Sequence, residues 1–222
     1  LYGEAGNDTL LGSSGPETMD GGPDNDRLWG NDGKDQMNGG DGDDQVLGGF
    51  GDDTSFGGPG DDEIGRFNDS YSTDSDPGND TSDGGPGDDT ILGGSGSDQI
   101  VDPSGFNLIC GDFDGENTTQ FDGDELQGGS GNDEMYAACV HTIESDAHHN
   151  ELHGEGGSDL LEGSSGSDNL HGGTGQDVIN GYDGDDILTG GDDPLPDTSL
   201  DQCNGGNGND TAISCEQISN IP

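Results

Sequence analysis

The feature that most constrains this chain is a nine-residue period. From Gly3 the sequence reads GEAGNDTLL, GSSGPETMD, GGPDNDRLW, GNDGKDQMN, GGDGDDQVL, GGFGDDTSF and GGPGDDEIG, in unbroken register to Gly65. The shared form is G-G-x-G-x-D-x-U-x, with U apolar. A unit this short buries almost nothing by itself, but a stack of like units can share one thin core. RFNDSYSTD (66–74) departs from the pattern yet is nine residues long, so the register is expected to survive it and resume as SDPGNDTSD, GGPGDDTIL, GGSGSDQIV and DPSGFNLIC.

The same period divides the chain. Residues 3–110 read as a first array with its irregular nonad at 66–74. Residues 111–153 hold two irregular inserts and the partial repeats TQFDGDELQ, GGSGNDEMY and SDAHHNELH. Residues 154–189 form a second array, and residues 190–222 an insert, the last repeat GGNGNDTAI and a C-terminal cap.

Composition excludes the ordinary alternatives. Glycine contributes 47 of 222 residues, the hydrophobic class only 23%, and 50 acidic residues against 3 basic ones give a formal charge of -47. A helical bundle or α/β enzyme needs more apolar surface than this. Without its repeat, such a chain would be disordered. Nucleic acid and anionic membranes are excluded as partners because both require Lys and Arg, and no run approaches the ~20 apolar residues that span a bilayer. Cations are the expected partners. One inward side chain per nine ordered residues cannot offset the lost chain entropy. Stacked carboxylates ~4 Å apart add repulsion on the order of 4 kcal/mol at an effective dielectric of 20. A divalent cation between turns reverses that sign.

The residue types agree with this picture. Glycines permit positive φ in a tight turn, Asp supplies a hard oxygen, and a lone apolar residue between polar neighbours makes a minimal strand. Position 8 is the expected core: Leu10, Met19, Leu28, Met37, Val46, Ser55, Ile64, Thr73, Ser82, Ile91, Ile100 and Ile109, then Leu126, Met135, Leu152, Leu161, Leu170, Ile179 and Leu188.

The GGxGxDxUx repeat resembles that of the RTX (repeats-in-toxin) family, the hemolysin-type calcium-binding repeats. The resemblance implies an all-β, right-handed parallel β-roll with two nonads per coil. It also implies calcium ions between equivalent turns of successive coils, held by the position-6 carboxylate and early-turn carbonyls. The implied ligands are Asp8, Glu17, Asp26, Asp35, Asp44, Asp53, Asp62, Asp80, Asp89, Asp98, Asp124, Asp133, Asp159, Asp168, Asp177, Asp186 and Asp210. With two nonads per coil, one file is expected to run Asp8, Asp26, Asp44, Asp62, Asp80, Asp98. The other is expected to run Glu17, Asp35, Asp53, Tyr71, Asp89, Asn107, interrupted at Tyr71. In the second array Asp159 pairs with Asp177 and Asp168 with Asp186, while Asn150 is a neutral ligand. Counting same-file pairs gives roughly ten calcium ions, within a range of about 8 to 14.

Cys110, Cys139, Cys203 and Cys215 allow three pairings, and none has a CxxC zinc spacing. Pairing by neighbours, Cys203 with Cys215 and Cys110 with Cys139, ties each imperfect segment back to the stack. Disulfides favour an oxidising compartment. His149 and His153 would share a face on a helix and could bind zinc, but Asn150 and Leu152 fall at positions 6 and 8, which favours turn and strand. Asp112, Asp114 and Glu116 in GDFDGEN read either as a DxDG-type calcium loop or as an acidic turn. Sequons at Asn68 and Asn117 lie in the irregular segments. No GxSxG, HExxH or Walker loop occurs, so no enzyme activity is expected.

The reading that follows is a calcium-binding module of a secreted or cell-surface protein, extracellular, folding on calcium outside the cell and acting as a structural or presentation element. The alternative is self-association: the chain starts at positions 8 and 9 of a nonad, and an open coil end can stack on a second copy as a fibre or adhesin stalk. Possible partners beyond calcium are thus the chain itself or a surface ligand. An ice-binding surface would need a Thr or Asx ladder, and position 3 carries none.

Overall fold

The computed structural model describes residues 1–65, 78–94, 96–112, 123–138, 149–191 and 200–220. Among them the regular structure is all strand, and the strands pair in parallel. Each nonad gives one strand at positions 7 to 9, and successive strands alternate between an 11-stranded and a 10-stranded sheet. The first sheet starts with Thr9–Leu11, Arg27–Asp32, Gln45–Phe50 and Glu63–Ile64. The second starts with Thr18–Pro23, Gln36–Asp41 and Thr54–Phe56. A third, 2-stranded sheet joins Gly156–Gly157 to Thr174–Gly175. This is a parallel β-roll with two nonads per coil.

The register places like on like. Leu10 pairs with Leu28, Leu28 with Val46 and Val46 with Ile64 in one sheet, while Met19 pairs with Met37 in the other. Position-8 side chains from both sheets meet between them in one cluster that runs from Leu10 to Cys203. Strand positions 7 and 9 mostly face outward, as in the exposed–buried–exposed pattern of Thr9–Leu11.

The turns explain the glycines. Positions 2 and 4 are left-handed, with φ of 120° at Gly40 and 132° at Gly42. Glu4, Asp24, Asn31, Glu155 and Tyr182 hold the same positive-φ positions where glycine is absent, so the stack imposes this backbone on ordinary residues as well. A β-carbon on Gly40 would also run into the Gly22 carbonyl one coil below.

Beyond the irregular nonad the pairing differs from expectation. Ile64 pairs with Ile91 and Ser55 with Ser82, steps of a coil and a half in sequence that are single steps in space. Thr81–Asp83, the next strand after Glu63–Ile64 among the described residues, therefore joins the sheet opposite to the one that counting nonads predicts, and the later strands of the first array follow it. Residues 66–77, including Tyr71 and Thr73, lie outside the described residues. Later departures keep their phase. Ile100 pairs with Leu126, Leu126 with Leu152 and Ile109 with Met135, so both sheets run on through 123–138 and 149–153.

The same register brings two serines together. Ser55 and Ser82 are buried neighbours in one sheet, between Met37 and Ile100. Two small polar side chains there replace the apolar contacts made elsewhere along the column. Amides of Thr54–Phe56 and Thr81–Asp83 should therefore exchange faster than those of Gln36–Asp41, read by hydrogen–deuterium exchange of the calcium-loaded chain. Equal protection would show that the serine layer is no weak point.

Candidate metal centre

Position 6 follows the strand-to-strand turn, and stacking brings equivalent carboxylates one above the next. Each uses Oδ1 to accept the backbone N–H of position 6 one coil below: Asp26 from Asp8, Asp44 from Asp26 and Asp62 from Asp44, all at 2.7 Å. Where the nonad is omitted the bond persists across 27 residues, Asp80 accepting from Asp53 and Asp89 from Asp62, again at 2.7 Å.

Two files result. One runs Asp8, Asp26, Asp44, Asp62, Asp89, Asn107, Asp133, Asp159, Asp177, Asp201 and Glu216. The other runs Glu17, Asp35, Asp53, Asp80, Asp98, Asp124, Asn150, Asp168, Asp186 and Asp210. All of the sequence-selected carboxylates lie in these files, but the expected assignment is corrected beyond Gly65. Asp80 and Asp98 follow Asp53, while Asp89 and Asn107 follow Asp62. The file expected to break at Tyr71 is continuous.

The second carboxylate oxygen defines the candidate centre. Oδ2 of Asp26 points at its own Gly21 and toward the Gly39 carbonyl one coil up. Asp44 stands likewise to Gly39 and the Gly57 carbonyl, Asp62 to Gly57 and the Gly84 carbonyl, and Asp186 to Gly181 and the Gly205 carbonyl. A β-carbon at position 1 would fill this cradle, which is why glycine stands there. These Oδ2 atoms, with those of Asp8, Asp35, Asp53, Asp133, Asp159 and Asp210, are buried and receive no hydrogen bond. A buried anionic oxygen facing a carbonyl oxygen is unfavourable unless something positive lies between them.

Burial, reinforced by neighbouring carboxylates, raises the proton affinity of these groups. It pushes Asp44 and Asp53 up to about 6, and Asp62, Asp159 and Asp186 up to about 7. Burial likewise raises Asp133 to about 6.

Two turns satisfy their carboxylate internally. In GSSGPE and GSSGSD, position 2 is serine. Ser13 donates its N–H to Glu17 Oε2 at 2.9 Å and its hydroxyl to Oε1 at 2.6 Å. Ser164 donates its N–H and hydroxyl to Asp168 Oδ2 at 2.7 and 3.1 Å. Asn150 adds its side-chain amide to Asp168 Oδ1 at 3.0 Å.

Three carboxylates escaped the sequence reading. Asp201 and Glu216 extend the first file into the segment read as insert and cap. The signal was present: Asp201-Gln202-Cys203 and Glu216-Gln217-Ile218 keep the position 6-7-8 order, and Asp201 stands nine residues before Asp210. Cys203 fills the core slot above Ile179. The third, Asp102, is fully buried at position 1, where glycine is usual.

The donor set is oxygen only. Among the described residues no three Asp, Glu, His or Cys side chains converge, so an ion here would need main-chain carbonyls besides its carboxylates. Hard oxygen donors in a deformable turn suit calcium better than magnesium or zinc. His149 is in the turn and His153 in the strand Glu151–His153, where it stacks on His171 at 5.9 Å and meets Glu151 at 3.0 Å. Cys203 and Cys215 are bridged, as pairing by neighbours requires. Cys110 is also disulfide-bonded, while Cys139, like His141, His148, Asn68, Asp114, Glu116 and Asn117, lies outside the described residues.

The pH response follows from these shifts. A carboxyl whose folded pKa lies above its unfolded value near 3.8 stabilises the ion-free roll fully only below that value, and the contribution is lost as pH rises through the folded pKa. In chelator, strand content should therefore be higher at pH 4 than at pH 8, falling between about pH 4 and 7, as read by circular dichroism. Greater ion-free structure at pH 8 would contradict the geometry.

Comparison with known families bears directly on this site. The family described as RTX calcium-binding nonapeptide repeat (4 copies) matches residues 1–16, 11–46, 29–64, 74–101, 121–138 and 162–193. No curated protein matches the chain.

Proposed function

This chain belongs to the RTX calcium-binding nonapeptide repeat family and is a calcium-binding β-roll module; we propose that it folds on calcium outside the cell and serves a secreted or surface protein as a structural, presenting element. The observation that carries this reading is the double file of buried Oδ2 atoms without donors, those of Asp26, Asp35, Asp44, Asp62, Asp159 and Asp186 each beside a carbonyl of the next coil. Calcium bound there would supply positive charge, turning repulsion between stacked turns into attraction.

We assign the ions to the turns headed by the unsatisfied carboxylates, Asp26, Asp44, Asp62 and their equivalents. The serine-satisfied turns of Glu17 and Asp168 are left out. That keeps the expected load at roughly ten ions. The role we assign is mechanical rather than catalytic, in keeping with a family whose repeats are structural. Among the described residues no helix is long and apolar enough to cross a membrane. The disulfides support an oxidising compartment, where calcium near ~1 mM matches the weak affinity of extracellular modules.

Sedimentation and bound-ion stoichiometry test the reading together. The full chain should be expanded in submicromolar calcium and compact near ~1 mM. Asp44→Asn should lower the ion count by about one or two, because its carboxylate faces the coils on both sides, whereas Asp168→Asn should leave the count unchanged. A chain equally compact in chelator, or one that binds no calcium, would overturn the proposal.

A further inference from the structure

The first file contains one neutral member before its C-terminal end approaches, Asn107, placed between Asp89 and Asp133. Asn107 fills the hydrogen-bonding half of the aspartate's role. Its Oδ1 accepts the Asp89 N–H at 3.1 Å. Its Nδ2, however, donates to the Gly128 carbonyl at 3.3 Å, where an aspartate would have turned an oxygen toward that carbonyl. The amide thus satisfies its neighbour directly and brings no negative charge to the turn.

The same nonad, DPSGFNLIC, carries a carboxylate elsewhere. Position 1, glycine in Gly84, Gly93 and Gly128, is Asp102. Its side chain does not escape to solvent: Asp102 is 0% exposed. Oδ1 accepts the Ser104 N–H at 3.1 Å, and Oδ2 is buried without a donor. That oxygen is aimed down the stack at Gly84, one coil below, where it converges with Asp89 Oδ2; a β-carbon on Gly84 would collide with both. Asp89 is 2% exposed, its Oδ1 is occupied by the Asp62 N–H at 2.7 Å, and its Oδ2 faces the Asp102 carboxyl with no other donor. At the equivalent place in the coil below, a β-carbon on Gly57 would meet Asp62 Oδ2 and the Gly84 carbonyl. The cradle beside Gly84 thus holds two carboxylate oxygens where its neighbours hold one and a carbonyl.

We propose that Asp89 and Asp102 together hold one divalent, oxygen-seeking cation beside Gly84, with Asp102 reaching from position 1 to restore the negative charge that Asn107 removes from this turn pair. Two facing carboxylates buried out of water repel strongly unless a cation or a shared proton separates them. The adjacent oxygen-only surroundings suit calcium. This inference rests on the calcium reading of the array but adds a ligand outside the repeat's own position 6.

Calcium anomalous scattering from crystals of the calcium-saturated full chain, together with ion stoichiometry of Asp102→Asn, tests it. The wild-type map should show a peak bridging Asp89 and Asp102. Asp102→Asn should bind one ion fewer while retaining the circular dichroism of the loaded roll. Peaks at the Asp26, Asp44 and Asp62 turns with none at Asp102, the two carboxyls sharing a proton instead, would overturn this inference alone. An unchanged stoichiometry in Asp102→Asn would do the same. Absence of calcium from every turn would overturn the array reading with it. If Asp102→Asn fails to fold, the wild-type map decides.

Discussion

The structure depends on one contact repeated up the stack: a buried aspartate oxygen set against the carbonyl of the next coil. In Asp26, Asp44 and Asp62 the first oxygen is tied to a backbone amide and the second is left facing another oxygen. Hydrophobic contact cannot by itself hold such a pair together, since each coil contributes only two inward side chains to a narrow core. The glycine at position 1 exists to leave this space open, and the left-handed positions 2 and 4 bend the backbone around it. Metal binding, turn geometry and glycine content are therefore one constraint seen from three sides.

Stacking also tolerates unequal spacing. Both files continue wherever the next aspartate lands over the last one. The spacing between stacked aspartates is 18 residues in regular coils, 26 from Asp98 to Asp124, 24 from Asp186 to Asp210 and 27 from Asp53 to Asp80. The 27-residue step is a coil and a half of sequence, so the strands beyond it exchange sheets relative to simple counting. The backbone bond from Asp53 to Asp80 is as short as its neighbours, so the file carries no scar of the exchange. Three turns meet the same demand with hydrogen bonds, through Ser13 or Ser164 at position 2 or through Asn107 donating to a carbonyl.

Much of this was legible in the sequence because a strict period leaves little freedom. Leu28, Val46, Leu126 and Leu188 lie in the core because position 8 must point inward, and the aspartates stack because each coil holds two nonads. The file assignment beyond Gly65 was not legible, because nine residues conserve the counting register whether or not they enter the roll. The half-coil shift is visible only in the pairing of Ile64 with Ile91 and of Ser55 with Ser82. Asp201 was hidden by the prolines before it. Asp102 was hidden because position 1 is a glycine position in the pattern, and its reach toward Gly84 is visible only once the coils are stacked. Ser13 and Ser164 look like ordinary glycine replacements until their hydroxyls are seen on Glu17 and Asp168.

The proposal that ion binding and folding are a single event near neutral pH follows from the uncompensated oxygens between stacked turns. Simultaneous measurement of calcium occupancy and far-ultraviolet circular dichroism through one titration addresses it most directly. The account predicts superimposable, cooperative curves. A strand signal that is complete before calcium occupancy begins to rise would contradict it.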